Sequence, residues 1–308
     1  MPGDFLEVNE PLYYEQLFKE FGKTKEDVED FINILKQWAD SQPHFPEKPA
    51  HHTLRFAILY NKFSIEKAKQ KLDMYYTIRN LMPEYFRTNP FTAEMVFQRK
   101  VWFLVPLPKV TGDHIRILYH KLNPEYLDPK YFSHEKFIIL FIQLVEYLLR
   151  EDLCFRFHYI CDCAGWSIGH GTGMSPMALK KATVILEKVF SNRLASFYMV
   201  NFPPFMETIV NSIIKPILVP KIRNRLKISA SQDVLLEVFG KEILPTDLGG
   251  EEKSAKELND MLSKKYEEHK DMYLKLEKLS VDETLRPAKL RNDDILGYYG
   301  NFKKINVD

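Results

Sequence analysis

Cysteine is scarce in this chain: 3 among 308 residues, at positions 154, 161 and 163. So few and so close together cannot staple a secreted scaffold, and free thiols of this kind fit a reducing compartment. A surplus of one charge is also lacking. With 43 Lys and Arg against 42 Asp and Glu, the formal net charge is +1, which excludes a whole-chain pull toward nucleic acid. Any anionic partner has to be met by a local patch. Long apolar runs are missing too, since the stretch from Phe137 to Leu149 is interrupted by Gln143 and Glu146. It is shorter than the ~20 residues that cross a bilayer. The opening Met1-Pro2-Gly3-Asp4 has no charged-then-apolar leader pattern, so a cytoplasmic protein that touches membranes peripherally and transiently is expected. There is no internal repeat and no low-complexity run.

What the chain has is apolar and aromatic bulk. Hydrophobic residues make up 45% of it and aromatics 13%, with 22 Phe and 16 Tyr, enough to line a ligand cavity as well as fill a core. An aromatic core alone is the plainer account of the same numbers. The length of 308 residues exceeds the usual single domain, so two lobes or a domain with an appendage are expected.

From Lys19 to Leu81 the pattern is helical. Thr24 and Asp27 are spaced as a capping box ahead of Val28, Phe31, Ile32, Leu35 and Trp38, and Ser64 reads as the N-cap of a helix to about Leu81. Pro43, Pro46 and Pro49 mark a loop between them. Beyond Pro90 strands alternate with helices: strands at 101–105, 115–119, 154–162, 195–201 and 225–228, helices at 133–150, 175–190 and 204–215. That alternation predicts an α/β layer with mainly parallel pairing. After Gly250, Leu258, Met261, Leu262, Tyr266, Met272, Tyr273 and Leu276 form one stripe of a long charged helix. The expected divisions are a helical lobe over 1–89, an α/β domain over 90–250, and a helix with tail over 251–308.

Four constellations invite chemistry. Gly165-Trp166-Ser167-Ile168-Gly169 fits the elbow of serine hydrolases, but Gly169, Gly171, Gly173 and Pro176 postpone any helix to about Ser175. The only later histidines, His170 and His269, are poorly placed for a triad. His158, Cys161, Cys163 and His170 suggest a metal, yet strand alternation sets His158 opposite the two cysteines, and Cys-x-Cys is not the usual zinc spacing. No metal or cofactor is expected, and non-enzymatic function is. Between Pro203-Pro204 and Pro216, one side of a helix carries Phe205, Met206, Ile209, Val210, Ile213 and Ile214. Core packing and a movable lid are both open for it. Lys221, Arg223, Arg225 and Lys227, if extended, set four cations on one face, either a headgroup clamp or an aggregation-resistant edge.

Taken in order, these residues resemble the CRAL-TRIO lipid-binding family, and within it the tocopherol-transfer-protein-like branch. The resemblance covers about Leu54 to Gly250. It rests on Leu54-Arg55-Phe56, Lys62 to Ala68, Asp162 to Trp166, Val200-Asn201-Phe202-Pro203, Ile214-Lys215-Pro216, Lys221 to Arg225 and the Leu244-Pro245-x-x-x-Gly249-Gly250 ending. Gly300 to Ile305 resembles the ending of many transfer-protein-like members. The resemblance implies a helical lobe on an α/β lobe whose sheet floors an apolar cavity closed by a lid, here 203–219. It implies a lining of Phe137, Leu140 and Leu144; Phe157, Cys161, Trp166 and Ile168; Ala182, Ile185, Leu186 and Phe190; and Phe197. Leu140 and Leu144 stand where the tocopherol branch has small hydroxyl residues, so a more apolar pocket is expected, suited to tocopherol, a retinoid, a carotenoid, a sterol or another isoprenoid. A phosphoinositide clamp maps onto Arg193, Lys221 and Arg225. Its fourth basic position falls on Ala195, for which Arg223 and Lys227 are offered as substitutes. Lys181 replaces a Glu that helps bind inositol in the phosphatidylinositol-transfer branch, which disfavours inositol phospholipid as cargo. The expected function is a monomeric carrier unloading at phosphoinositide-containing membranes. The alternative is a phosphoinositide-binding trafficking adaptor or a phospholipid exchange protein.

Overall fold

The computed structural model describes residues 5–190 and 193–287. The Gly300–Ile305 resemblance lies outside them. Four helices open the chain: α1 (Glu10–Phe21), α2 (Lys25–Asp40), α3 (His51–Tyr60) and α4 (Ile65–Leu81). The capping box at α2 is formed as expected: Thr24 Oγ1 accepts from the Asp27 amide at 3.3 Å, and Asp27 Oδ2 accepts from the Thr24 amide at 2.9 Å. Val28, Ile32, Leu35 and Ala39 then turn inward at helical spacing. Most of α1 was not anticipated. Only Tyr13 and Leu17 on it are fully buried, too sparse a stripe to stand out, and Gly22 ends it in the left-handed region at φ 63°.

After α5 (Pro83–Phe86) and α6 (Ala93–Val101) come β1 (Trp102–Val110) and β2 (Arg116–Leu122), then α7 (His134–Glu151) and β3 (Phe157–Asp162). Next are α8 (Ile168–Thr172), α9 (Pro176–Lys188) and β4 (Leu194–Val200). The lid segment holds α10 (Met206–Ile209) and α11 (Lys215–Ile217), and α12 (Pro220–Arg223) leads into β5 (Leu226–Ile228). Strand order is β1-β2-β3-β4-β5, with β1 and β2 antiparallel and every later pair parallel. This is the mainly parallel sheet that the alternating pattern predicts. α13 (Asp233–Phe239) follows, and the single charged helix expected after Gly250 is two, α14 (Ala255–Glu268) and α15 (Lys270–Leu276), broken at His269.

Gly249-Gly250 has a steric reason. A Cβ on Gly250 would lie 1.9 Å from the Leu244 carbonyl oxygen, so only glycine lets the chain fold back there.

One continuous core joins the helices to the sheet, and three buried cations cross the seam. Arg79 of α4 reaches Glu146 of α7 at 2.6 Å, and the Tyr75 hydroxyl donates to the same carboxylate at 2.8 Å. Arg116 of β2 forms a two-pronged pair with Asp152, at 2.9 and 3.0 Å. Arg193 bonds Glu20 and the Leu59 carbonyl.

Candidate functional site

Between α7, α9 and the upper face of the sheet lies a cavity of about 190 Å³. α7 contributes Phe137, Ile138, Phe141 and Ile142; α9 contributes Leu179, Ala182, Thr183, Ile185 and Leu186. The strands floor it with Trp102, His120, Phe157, Tyr159, Cys161, Phe197 and Met199. Among the described residues no Lys, Arg, Asp or Glu lines it. A second cavity of about 50 Å³ lies toward the helical lobe and shares Phe141, Phe157 and Leu186 with the first.

Of the lining residues expected from sequence, Phe137, Phe157, Cys161, Trp166, Ala182, Ile185, Leu186 and Phe197 stand on the wall. Four do not. Leu140 and Leu144 are buried in the core, and at 100° per residue they sit roughly 160° and 120° around α7 from cavity-facing Ile138. The greater apolarity inferred from them therefore does not belong to the cavity. Ile168 is 62% exposed on α8, and Phe190 borders the smaller cavity, its ring 6.4 Å from Phe56. Sequence reasoning missed Trp102, His120, Tyr159 and Met199. The one local signal was an imidazole directly after the apolar run Ile117 to Tyr119.

The lid segment departs from the single helix expected. α10 widens into a π-helix over Val210–Ile214 before α11. Pro216 is the cause we assign: it has no amide hydrogen to continue an α-helical ladder, and its ring presses on the preceding turn. Met206, Val210 and Ile214 point inward, while Phe205, Ile209 and Ile213 are half-buried. Of the six, Ile214 alone reaches the cavity, which Leu218 and Ile222 help to close. Val210, Ile214 and Leu218 pack with Cys161, Cys163 and Met199 as a small cluster separate from the main core.

Its outer seat is the glycine turn of α8. A Cβ on Gly171 would lie 2.2 Å from Ile209 Cδ1 and 3.3 Å from Met206 Sδ. Alanine is accommodated by rotating Ile209, but Gly171→Leu is expected to wedge α10 outward. Losing about 1.4 kcal/mol of lid packing corresponds to tenfold faster release of bound ligand, readable by stopped-flow, with the fold retained. An unchanged release rate would separate this turn from the gate.

The hydrolase constellation resolves differently. The Ser167 amide donates to His170 Nδ1 at 3.0 Å and Ser167 Oγ lies 2.9 Å from the same nitrogen, a local cap on α8. Among the described residues no carboxylate hydrogen-bonds the ring, so the third member of a triad is not supplied. His158 faces away from the thiols, its Nδ1 2.6 Å from Ser196 Oγ, and burial pushes its pKa down to about 4. Cys161 and Cys163 are free, their sulfurs 3.6 Å apart. No group of three metal-ligating side chains occurs among the described residues.

The basic residues are rearranged as well. Lys221 to Arg225 are not extended: α12 occupies 220–223 and only 226–228 is strand, so the one-face alternation fails. Arg193 is buried and committed to Glu20, Arg225 donates to the Leu194 carbonyl, and Lys227 donates to the Tyr198 hydroxyl at 2.9 Å. Arg223 is exposed on α12. Lys221 is the centre of what remains. Burial, followed by the positive fields of Arg225, Arg193 and Lys62, lowers its pKa. Lys62, in a left-handed turn at φ 54° after α3, is a member that local sequence patterning could not reveal. No helix among the described residues is long and apolar enough to cross a membrane.

Comparison with known proteins agrees with this geometry. A family model described as the CRAL/TRIO domain matches residues 105–250, and one described as the Pinta-like UBA domain matches residues 24–95. The crystal structure of Sfh5 is similar in fold, with a TM-score of 0.52 at 15% identity, covering 85% of this chain and 100% of that one. The chain thus contains a CRAL/TRIO domain, at residues 105–250, and the apolar cavity is built largely from it.

Proposed function

We propose that the protein is a non-enzymatic carrier that holds one hydrophobic small molecule in the lidded cavity and exchanges it at anionic membranes. The carrying observation is the cavity wall, mostly apolar and aromatic, without Lys, Arg, Asp or Glu among the described residues, and closed by Ile214, Leu218 and Ile222. Every 100 Å² of apolar cargo surface withdrawn from water contributes roughly 2.5 kcal/mol, so firm retention needs no covalent step. A phospholipid cargo fits less well, because among the described residues no cation on the wall faces a phosphate. The cations lie outside, at Lys62 and Lys221, where they favour docking to anionic headgroups, phosphoinositides included. Opening of the lid is then compensated by its contact with lipid.

The test is native mass spectrometry of protein purified from a lipid-rich lysate, followed by organic extraction. One stoichiometric isoprenoid or sterol supports the carrier; nothing bound, or a mixture of phospholipids, sinks it in favour of an adaptor or phospholipid exchange. Ala182→Trp fills the cavity from α9. It is expected to abolish co-purification while leaving the melting temperature at or above that of the parent protein.

A further inference from the structure

The smaller cavity, of about 50 Å³, differs from the main one in its charge. Most of its wall is hydrocarbon, with Val145, Leu148 and Leu149 of α7 and Phe56 and Leu59 of α3. Four charged residues line it as well: Arg55, Arg116, Arg156 and Asp152. Arg116 and Asp152 neutralise each other as a two-pronged pair, and burial pushes the pKa of His52 on the same wall down to about 4, so that ring is uncharged at neutral pH. Two cations remain. Arg156 comes only to 3.8 Å from Glu20, a carboxylate already bonded by Arg193. Arg55 donates to the Asp152 carbonyl at 3.1 Å, and among the described residues it has no ion-pair partner. A half-buried guanidinium with most of its fork unused is a receptor for a planar, two-oxygen anion.

The two cavities lie end to end along the sheet. Cys161 and Met199, toward the carboxyl ends of β3 and β4, line the main cavity near the lid, and Phe157 and Leu194, which open those strands, line its far side. The smaller cavity continues from there, against Arg116 at the start of β2 and Arg156 just before β3. Phe141, Phe157 and Leu186 belong to both walls, so a single layer of side chains divides the two spaces. All three are only partly buried, as side chains with open space beside them are.

On the carrier reading, we propose that the cargo is a long-chain carboxylic acid. Its chain fills the main cavity and passes the divider, with Phe141, Phe157 and Leu186 turned aside, and its carboxylate rests on Arg55 with Arg156 beside it. The small volume suits a carboxylate better than a phosphorylated ring. The main cavity then selects for length, and the smaller one for charge.

Palmitate, hexadecanol and hexanoate test this, as radiolabelled ligands of the full chain below their micellar concentrations. Palmitate is expected to bind about tenfold more tightly than hexadecanol, the effect of charge-assisted hydrogen bonds that the alcohol cannot make. It should bind roughly a hundredfold or more tighter than hexanoate, which carries the anion without the chain. In Arg55→Met the preference for the acid is expected to disappear while hexadecanol affinity is kept. Arg55 also holds the Asp152 carbonyl, so loss of the site is separated from loss of fold by a second variant, Val145→Phe. It fills the smaller cavity from α7 and leaves Arg55 in place. Palmitate affinity should fall about tenfold there, with the melting temperature close to that of the parent. Equal affinity for palmitate and hexadecanol, hexanoate bound as tightly as palmitate, or an acid preference undiminished in both variants overturns the inference and leaves the carrier reading to the extraction experiment. Binding of neither sixteen-carbon ligand overturns the inference too, and a neutral isoprenoid recovered by extraction would then keep the carrier.

Discussion

Replacing Asp152 with alanine is expected to destabilise the protein by about 3–5 kcal/mol, the cost of stranding a buried cation. The cation is Arg116, 1% exposed, whose guanidinium meets Asp152 through two bonds and, among the described residues, otherwise reaches only backbone carbonyls, those of Leu107, Pro108 and Glu7. Burial raises the Asp152 pKa, but the pairing with Arg116 outweighs it and the net shift is downward. A carboxylate with a depressed folded pKa adds stability above its unfolded value and loses it as pH falls through the folded one. The parent protein should therefore show an acid limb below about pH 4 that Asp152→Ala lacks. At neutral pH the melting temperature of the variant should drop by roughly 10 °C. The site matters for function because Asp152 ends α7 and precedes β3, while its carbonyl accepts from Arg55 of α3 at 3.1 Å. One residue thus holds the helical lobe, the cavity wall and the sheet floor together. The double variant Arg116→Met with Asp152→Leu should recover much of the loss, since nothing charged is left inside. A melting temperature for Asp152→Ala within a degree or two of the parent would show that the seam is held elsewhere.

Periodic features were legible in the sequence. α7 was anticipated within a residue at either end because its apolar positions recur regularly under a Ser133 cap, and the parallel sheet followed from strands spaced by helices. Of the wall residues on α9, β3 and β4, the resemblance implied Ala182, Ile185, Leu186, Phe157, Cys161 and Phe197, but not Leu179, Thr183, Tyr159, Leu194 or Met199. What stayed hidden depended on phase or on distance along the chain. Leu140 and Leu144 are one or two positions away from residues that do face the cavity, and rotation of a helix about its axis is set by packing rather than by pattern. The expected free cation at Arg193 is bound by Glu20, 173 residues earlier, a pairing that no local motif encodes. Lys62 reaches the basic cluster from the helical lobe for the same reason.

The same cluster leads to the other large effect. On the docking reading, Lys62→Glu with Lys221→Glu is expected to weaken binding to vesicles containing phosphoinositide or phosphatidylserine by at least 30-fold. Each cation near an anionic surface contributes about 1 kcal/mol, and reversal adds repulsion to the loss. These two positions isolate the docking term, because Arg193 and Arg225 also bond carbonyls of the fold and their removal would confuse docking with stability. The deficit should shrink as salt rises and the screening length falls to a few ångströms. It should vanish on neutral vesicles. Cargo affinity in solution should stay as it was, since neither lysine lines the cavity. Equal partitioning of parent and variant at low salt would remove electrostatics from the encounter. The half-exposed apolar residues of the lid, Phe205, Ile209 and Ile213, would then have to supply the membrane contact by themselves.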